Sequence, residues 1–222
     1  MKQYIIIGAG RFGTSLAMSL AELGQEVMVI DNNEEVIQAL SESLDNVAIV
    51  DAADEISMRS IGLGNFDVAI VAIGTNLRAS IMATLLAKEF GVPFVISKAT
   101  DNLQAEVLRK IGADRVVFPE HDMGVKLAKG ISFNNIVDYM ELDKNHSIYE
   151  VTVPKSWIGK NLIDLSVRGK YSINVVGVKG KDEFEVPANP KRIFEEGDII
   201  VVAGKNKILE EIALLKIEES RF

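Results

Sequence analysis

The stretch that most constrains the fold is residues 5–15, IIIGAGRFGTS, where three isoleucines run into Gly8-Ala9-Gly10-Arg11-Phe12-Gly13 and then into a helix-like segment. A buried strand that turns through glycines into a helix leaves the first amides of that helix facing an anion. The chain then repeats the rhythm. Apolar strand candidates at 3–7, 26–30, 47–50, 67–73, 93–97 and 115–118 alternate with helical candidates near 11–24, 34–44, 54–62, 76–91 and 101–112. The strands are short and rich in Ile, Val and Ala, as strands buried on both faces are. Gly24, Gly91 and Gly112 fall where a helix C-terminus takes a left-handed residue, and Asp54 and Asp101 fall at N-cap positions. Six such units in succession predict an α/β, Rossmann-like domain built on a doubly wound parallel sheet.

Past residue 120 the rhythm changes. Residues 121–141, HDMGVKLAKGISFNNIVDYME, read as two helical pieces joined around Gly130. Their apolar residues Val125, Leu127, Ile131, Phe133, Ile136, Val137, Tyr139 and Met140 suit either a partner subunit or ordinary packing within the chain. After Asp143-Lys144-Asn145 the sequence is β-rich (SIYEVTVP, SINVVGVKG, DEFEVP, DIIVVAG), with short helices near 160–168 and 205–217. The reading is a domain at 1–120, linker or crossover helices at 121–140, and a small α+β C-terminal domain at 141–222. Trp157 is expected to anchor the core of that last domain.

Composition excludes several functions. The chain of 222 residues has no cysteine, so disulfides, thiolate metal sites and cysteine nucleophiles are ruled out, and a reducing compartment is expected. Its formal charge is −8, with no run of Lys or Arg that could track a nucleic-acid backbone. No apolar stretch approaches the roughly 18–20 residues of a membrane span, and MKQYIIIG is short for a signal peptide. A cytosolic protein that does not itself span the membrane and binds no nucleic acid is the expectation.

The glycine loop gains weight from its surroundings, because Asp31 closes the second strand eighteen residues after Gly13. Gly8 permits the tight turn, Gly10 lets backbone approach phosphate, and Gly13 lets the helix pack close to the strand. Asp31 is suited to ribose hydroxyls and hostile to a 2′-phosphate, and Asn32 and Asn33 bring no arginine to receive one. Asp51 ends the third strand, either beside an adenine amine or as a solvated turn residue; both readings stand. Arg11 sits at the wrong end of a helix for its charge; its guanidinium reaches past a diphosphate toward a second ribose or, better suited to a cation, a further phosphate, and the alternative is an arginine that simply faces solvent. His121 and His146 lie in different elements and are read as surface residues. Two functions compete: a ligand-controlled regulatory subunit, and an NAD-dependent oxidoreductase with a small second domain. The second lacks an evident acid–base constellation, and no Walker lysine-serine motif supports ATP hydrolysis.

Taken together, GAGRFG, VIDNNEE, VAIGTNLRAS, LRKIGADRVVFPEHDMG and VRGKYSINVVGVKG resemble the regulators of Ktr-type potassium uptake, RCK proteins of the TrkA family. The resemblance runs through nearly the whole chain. It implies a non-enzymatic subunit whose first domain binds ATP or ADP and can accept NAD(H). It implies dimers crossed through the helices after the sixth strand and assembled into an octameric ring. The ring docks peripherally on the cytoplasmic face of a KtrB-like membrane subunit that translocates potassium. By matching positions, Arg11 contacts the terminal phosphate beside Gly8, Gly10, Phe12 and Gly13. Asp31, Asn32 and Asn33 hold the ribose, and Asp51 and Ala52 flank adenine. Ile73, Gly74, Thr75, Lys98 and Thr100 line the site. Glu120 faces the phosphates across the dimer and helps hold a divalent cation, magnesium, with ATP. The C-terminal domain of the family can bind cyclic di-AMP, and Ile163, Arg168, Ile173, Asn174 and Pro187 occupy the corresponding stretch. The chain departs from the family pattern at Val50 and Ala53, where a hydroxyl contact is lost, in SKAT, and at Gln104, a place often held by histidine.

Overall fold

The computed structural model describes residues 2–132 and 136–214. The chain divides into two compact units, residues 1–122 and 123–222.

In the first unit the elements alternate as the sequence rhythm requires. They are β1 (Gln3–Ile7), α1 (Arg11–Glu22), β2 (Glu26–Asp31), α2 (Glu34–Leu40), β3 (Val47–Ile49), α3 (Glu55–Ser60), β4 (Val68–Val71), α4 (Leu77–Glu89), β5 (Phe94–Lys98), α5 (Asn102–Lys110) and β6 (Arg115–Val117). The strands pair in parallel in the order β3-β2-β1-β4-β5-β6, the doubly wound Rossmann arrangement. Successive residues of β1 serve opposite faces. Ile5 and Ile7 pack with Met58, Leu63, Leu86 and Val95 beneath α3 and α4. Ile6 packs with Ala17, Val29, Ile37 and Leu40 beneath α1 and α2. A strand apolar on both faces must be covered on both, so helices lie on each side.

Helix ends follow the expected chemistry. Asp54 and Asp101 accept from Ser57 N–H and Gln104 N–H, and Asn33 and Asn76 do the same for α2 and α4. Gly24, Gly91 and Gly112, with φ of 72°, 83° and 105°, follow the ends of α1, α4 and α5.

Helix α6 (Pro119–Ser132) runs without a break through Gly130, where the sequence reading expects a joint. The second expected helical piece is instead a strand, β7 (Ile136–Glu141). It is the edge of an antiparallel sheet that it forms with β8 (His146–Thr152), β9 (Asn174–Lys179), β10 (Phe184–Glu185) and β11 (Ile199–Lys205), in the order β10-β9-β11-β8-β7. Between β8 and β9 lie α7 (Leu162–Leu165) and α8 (Val167–Tyr171), two turns divided at Ser166, where a single helix is expected. Helix α9 (Asn206–Leu214) follows β11. One face of β8 is wholly buried, and Tyr149 and Val151 meet Trp157, Phe194, Ile200, Val202 and Leu209 in the core of this unit. Trp157 is 1% exposed and stacks near Tyr171 and Phe194. Phe133 and the 215–217 end of the expected closing helix lie outside the described residues. Among the described residues no helix is long and apolar enough to cross a membrane.

Candidate functional site

The carboxyl ends of β1 to β4 open into a cleft of about 260 Å³, at the point where the strand order reverses between β1 and β4. Its walls come mainly from four neighbouring strand ends, with the N-terminus of α4 added. From the expected set, Gly8, Gly10, Asp31, Asn32, Asp51, Ala52, Ile73, Gly74 and Thr75 line it; Ile30, Val50, Ala72, Asn76 and Ala79 join them. No His, Lys or Tyr is among these lining residues.

The glycine loop is held by its own backbone and by Asp31. Gly8 takes φ 106°, and its N–H donates to Ile30 C=O at 2.8 Å. A Cβ added to Gly8 would stand 3.1 Å from Ile73. A Cβ on Gly13 would stand 2.0 Å from Gly8 O, which is how closely α1 sits on the turn. A Cβ on Gly10, by contrast, would meet nothing within 4 Å, because that face of the residue opens into the cleft. Asp31 accepts from Ala9 N–H at 2.7 Å through one carboxylate oxygen and from Asn33 N–H at 2.9 Å through the other. It thus ties the loop to the end of β2 while keeping free lone pairs toward the cleft. One oxygen of Asp51 accepts from Ala53 N–H at 2.9 Å, an Asx turn that fixes the aspartate at the cleft wall.

Several expected contacts are spent elsewhere. The Asn33 side chain accepts from Val36 N–H as the cap of α2 and does not line the cleft. Phe12 packs against the core under α1. The Thr100 amide and hydroxyl both donate to Gln104 Oε1, at 2.9 and 2.8 Å. Asn76 and Ala79 belong to the N-terminus of α4, a cap signal legible in NLRAS but not connected to the cleft by sequence reasoning.

Three charged residues form a second group, outside the lining. Lys98, at the end of β5, is 8% exposed, and its ammonium pairs with Glu120 in the first turn of α6. Gly74 connects this group to the cleft, since a Cβ there would lie 3.3 Å from Lys98 Nζ. Arg11 is exposed at the start of α1, and its charge reaches Glu120. The hydrogen bond from Lys98, with the charges of Lys98 and Arg11, holds the Glu120 carboxyl below the ordinary carboxylate range despite an opposing contribution from burial. As a cation site the group is incomplete within one chain. Among the described residues no cluster of three or more His, Cys, Asp or Glu could hold a metal ion, and Glu120 already faces an ammonium. His121 and His146 are paired with the neighbouring acids Asp122 and Asp143, at 3.2 and 3.0 Å.

The second unit has a cleft of its own, about 490 Å³, lined by all five residues expected there: Ile163, Arg168, Ile173, Asn174 and Pro187. Arg168 donates to Asn174 Oδ1 at 2.7 Å, which sets a guanidinium and an amide among the apolar side chains of this hollow.

Comparison with known proteins agrees with this architecture. A TrkA-N domain model matches residues 4–119 and a TrkA-C domain model residues 148–216. Ktr system potassium uptake protein C of Bacillus subtilis is 40% identical over 91% of this chain and 92% of its own. Ktr system potassium uptake protein A of Vibrio alginolyticus is 34% identical over 91% and 92%. Among solved structures, the GsuK channel bound to NAD superposes with a TM-score of 0.66 at 17% identity, covering 97% of this chain and 39% of that one. The TrkA-N domain of the Escherichia coli inner membrane protein ybaL superposes at 0.53 with 20% identity, over 58% and 95%. These two likenesses establish the fold.

Proposed function

This chain belongs to the TrkA family, which it shares with the Ktr system potassium uptake proteins, and on that footing we propose that it is the nucleotide-sensing regulatory subunit of a potassium uptake system. The observation that carries the proposal is the cationic group beside the cleft. Lys98 and Arg11 stand next to a Rossmann cleft, where a nucleoside triphosphate brings an additional phosphate and a diphosphate does not.

In this reading ATP and ADP place adenine at Asp51 and Ala52, ribose at Asp31 and Asn32, and phosphates at the N-terminus of α1, beside the open face of Gly10. The adenosine half of NAD(H) suits the same walls. Asp31 disfavours a 2′-phosphate by like charge. A divalent cation, magnesium, accompanies ATP, with Glu120 as this chain's donor and the remaining oxygens supplied by phosphates and a second copy. Its contribution is to neutralise phosphate charge.

The subunit acts as a homo-oligomer, dimers in an octameric ring, on the cytoplasmic face of a KtrB-like membrane subunit. ATP favours the conducting state and ADP the closed one, because only a ligand with differential affinity for two conformations shifts their balance. The cleft of the second unit takes cyclic di-AMP, with Arg168 toward a phosphate and the apolar wall toward adenine.

Calorimetry on Arg11→Ala tests the central assignment. Loss of a charge-assisted contact should weaken ATP by about tenfold to a hundredfold, with much smaller changes for ADP and NAD. Equal losses for all three ligands would remove Arg11 from its role.

A further inference from the structure

We propose that Lys98 is an exchangeable cation: it rests on Glu120 in the absence of a terminal phosphate and transfers to that phosphate when ATP enters, leaving the Glu120 carboxylate free. The proposal rests on the nucleotide reading of the cleft.

The argument starts from an asymmetry within the pair. The Lys98 side chain is 10% exposed, whereas that of Glu120 is 68% exposed. A buried ammonium is costly without an anionic partner, whereas an exposed carboxylate is well served by water. Lys98 must therefore always keep an anion, while Glu120 can release its own at little cost. The second point is position. Gly74 lines the cleft, and a Cβ there would lie 3.3 Å from Lys98 Nζ, so the lysine end lies against the cleft lining. A four-carbon stem with three rotatable donors can change partners without moving the backbone. The third is charge. Arg11 and Lys98 bring two positive charges against the one negative charge of Glu120, so an arriving phosphate and the carboxylate compete as acceptors for the same two cations.

Exchange makes a prediction that a fixed phosphate-binding lysine does not. If Lys98 has to leave Glu120, then Glu120 competes with ATP, and neutralising it should tighten ATP binding when no divalent cation is present. Simple relief of repulsion between Glu120 and phosphate would have the same sign. The two are separated at position 98: competition vanishes when the lysine is gone, but repulsion persists.

The experiment is calorimetry of the full chain with ATP and with ADP in excess EDTA, for the wild type, Glu120→Gln, Lys98→Met and the double variant. Under exchange, Glu120→Gln raises the ATP-to-ADP affinity ratio by about threefold to tenfold. Lys98→Met lowers the ratio by at least about tenfold, and the double variant matches Lys98→Met. With magnesium restored, Glu120→Gln should instead lower the ratio, since its carboxylate is then wanted by the cation. An unchanged or lower ratio for Glu120→Gln in EDTA, or a gain that survives in the double variant, overturns the exchange while normal ADP binding leaves the cleft reading standing. Failure of the wild type to bind either nucleotide overturns both. Should Lys98→Met unfold at a lower temperature, Lys98→Gln, which keeps a polar end without the charge, replaces it in both the single and the double variant, and the same two outcomes decide.

Discussion

The loop glycines allow a paired test in which the same added methyl should produce opposite phenotypes. At Gly13 a Cβ would lie 2.0 Å from Gly8 O, against about 3.3 Å for the closest comfortable C···O approach. That oxygen is backbone, anchored by the Gly8 N–H bond to Ile30, so α1 must withdraw by more than about 1 Å. Overpacking of this kind costs about 1–3 kcal/mol. For a unit of 122 residues, 1 kcal/mol corresponds to about 3–6 °C in midpoint. Gly13→Ala should therefore melt about 3–18 °C below the wild type. At Gly10 the backbone is at φ −69°, ψ 177°, a conformation alanine adopts freely, and the Cβ meets no protein atom within 4 Å. The entropy benefit of Gly→Ala, about 0.4–1 kcal/mol, is offset by a poorer N-cap of about the same size. Gly10→Ala should therefore melt within a few degrees of the wild type, while its methyl occupies the path by which phosphate approaches the helix amides. The assay is differential scanning fluorimetry with and without ADP. The wild type should gain stability with ligand, and Gly10→Ala should lose most of that gain. A Gly10→Ala protein stabilised by ADP as fully as the wild type would refute phosphate approach at this loop. An unshifted Gly13→Ala would refute the close seating of α1.

Two further outcomes are expected. Asp114 accepts from Val95 N–H at 2.7 Å and from Lys88 at 2.9 Å, and although burial opposes them these bonds hold its carboxyl below the usual value of 3.8. A carboxyl lowered in the folded state adds stability above its unfolded pKa, and that stability is lost as pH falls below about 4; urea midpoints followed from pH 6 to 3 should fall less steeply for Asp114→Asn than for the wild type. In the second unit Asp198 is 3% exposed and accepts from Arg192 at 3.0 Å and Glu195 N–H at 2.9 Å. Asp198→Ala leaves the guanidinium with the more distant Glu185, at 3.9 Å, and the Glu195 N–H without this acceptor; it should cost about 2–3 kcal/mol in urea unfolding, against a change near zero if the pair were ornamental.

The parts of the fold that were legible are those where one periodicity acts alone. β1, β4 and β5 are apolar on both faces, and the glycines and aspartates that punctuate them have local jobs that hold regardless of tertiary context. β7 was not legible, and its register explains why. Ile136, Val137, Tyr139 and Met140 fall at the i, i+1, i+3, i+4 spacing of a helix face. The pairing of β7 with β8 slips between Ile136 and Asp138, so Val137 is an extra residue at a bulge and the period of two is broken there. An edge position then leaves Val137 and Met140 more than half exposed, and the two residues that do face the core, Ile136 and Tyr139, stand three apart instead of two, which is a helical spacing. The cleft shows the same division. Gly8, Gly10 and Asp31 act through backbone turns that sequence spacing specifies. Asn33 looks equally available, but helix capping claims it, a competition that spacing cannot decide.

This division also bears on how a regulator could tell two nucleotides apart. Asp31 and Asp51 are stapled by backbone hydrogen bonds, and in the proposed reading they and the glycine loop meet the parts that ATP and ADP have in common, which supplies affinity without discrimination. Discrimination requires contacts made with one ligand and not the other. Arg11, Lys98 and Glu120 are the residues proposed for that task, and they stand on three different elements, the starts of α1 and α6 and the end of β5. Their mutual geometry therefore depends on how those elements are set. In the proposed exchange, a phosphate that draws on Lys98 and Arg11 and frees Glu120 acts on the first turn of α6, whose 14 residues run from Pro119 to Ser132. The physical content of the proposed signal is a change in which charge the N-terminus of that helix is bound to.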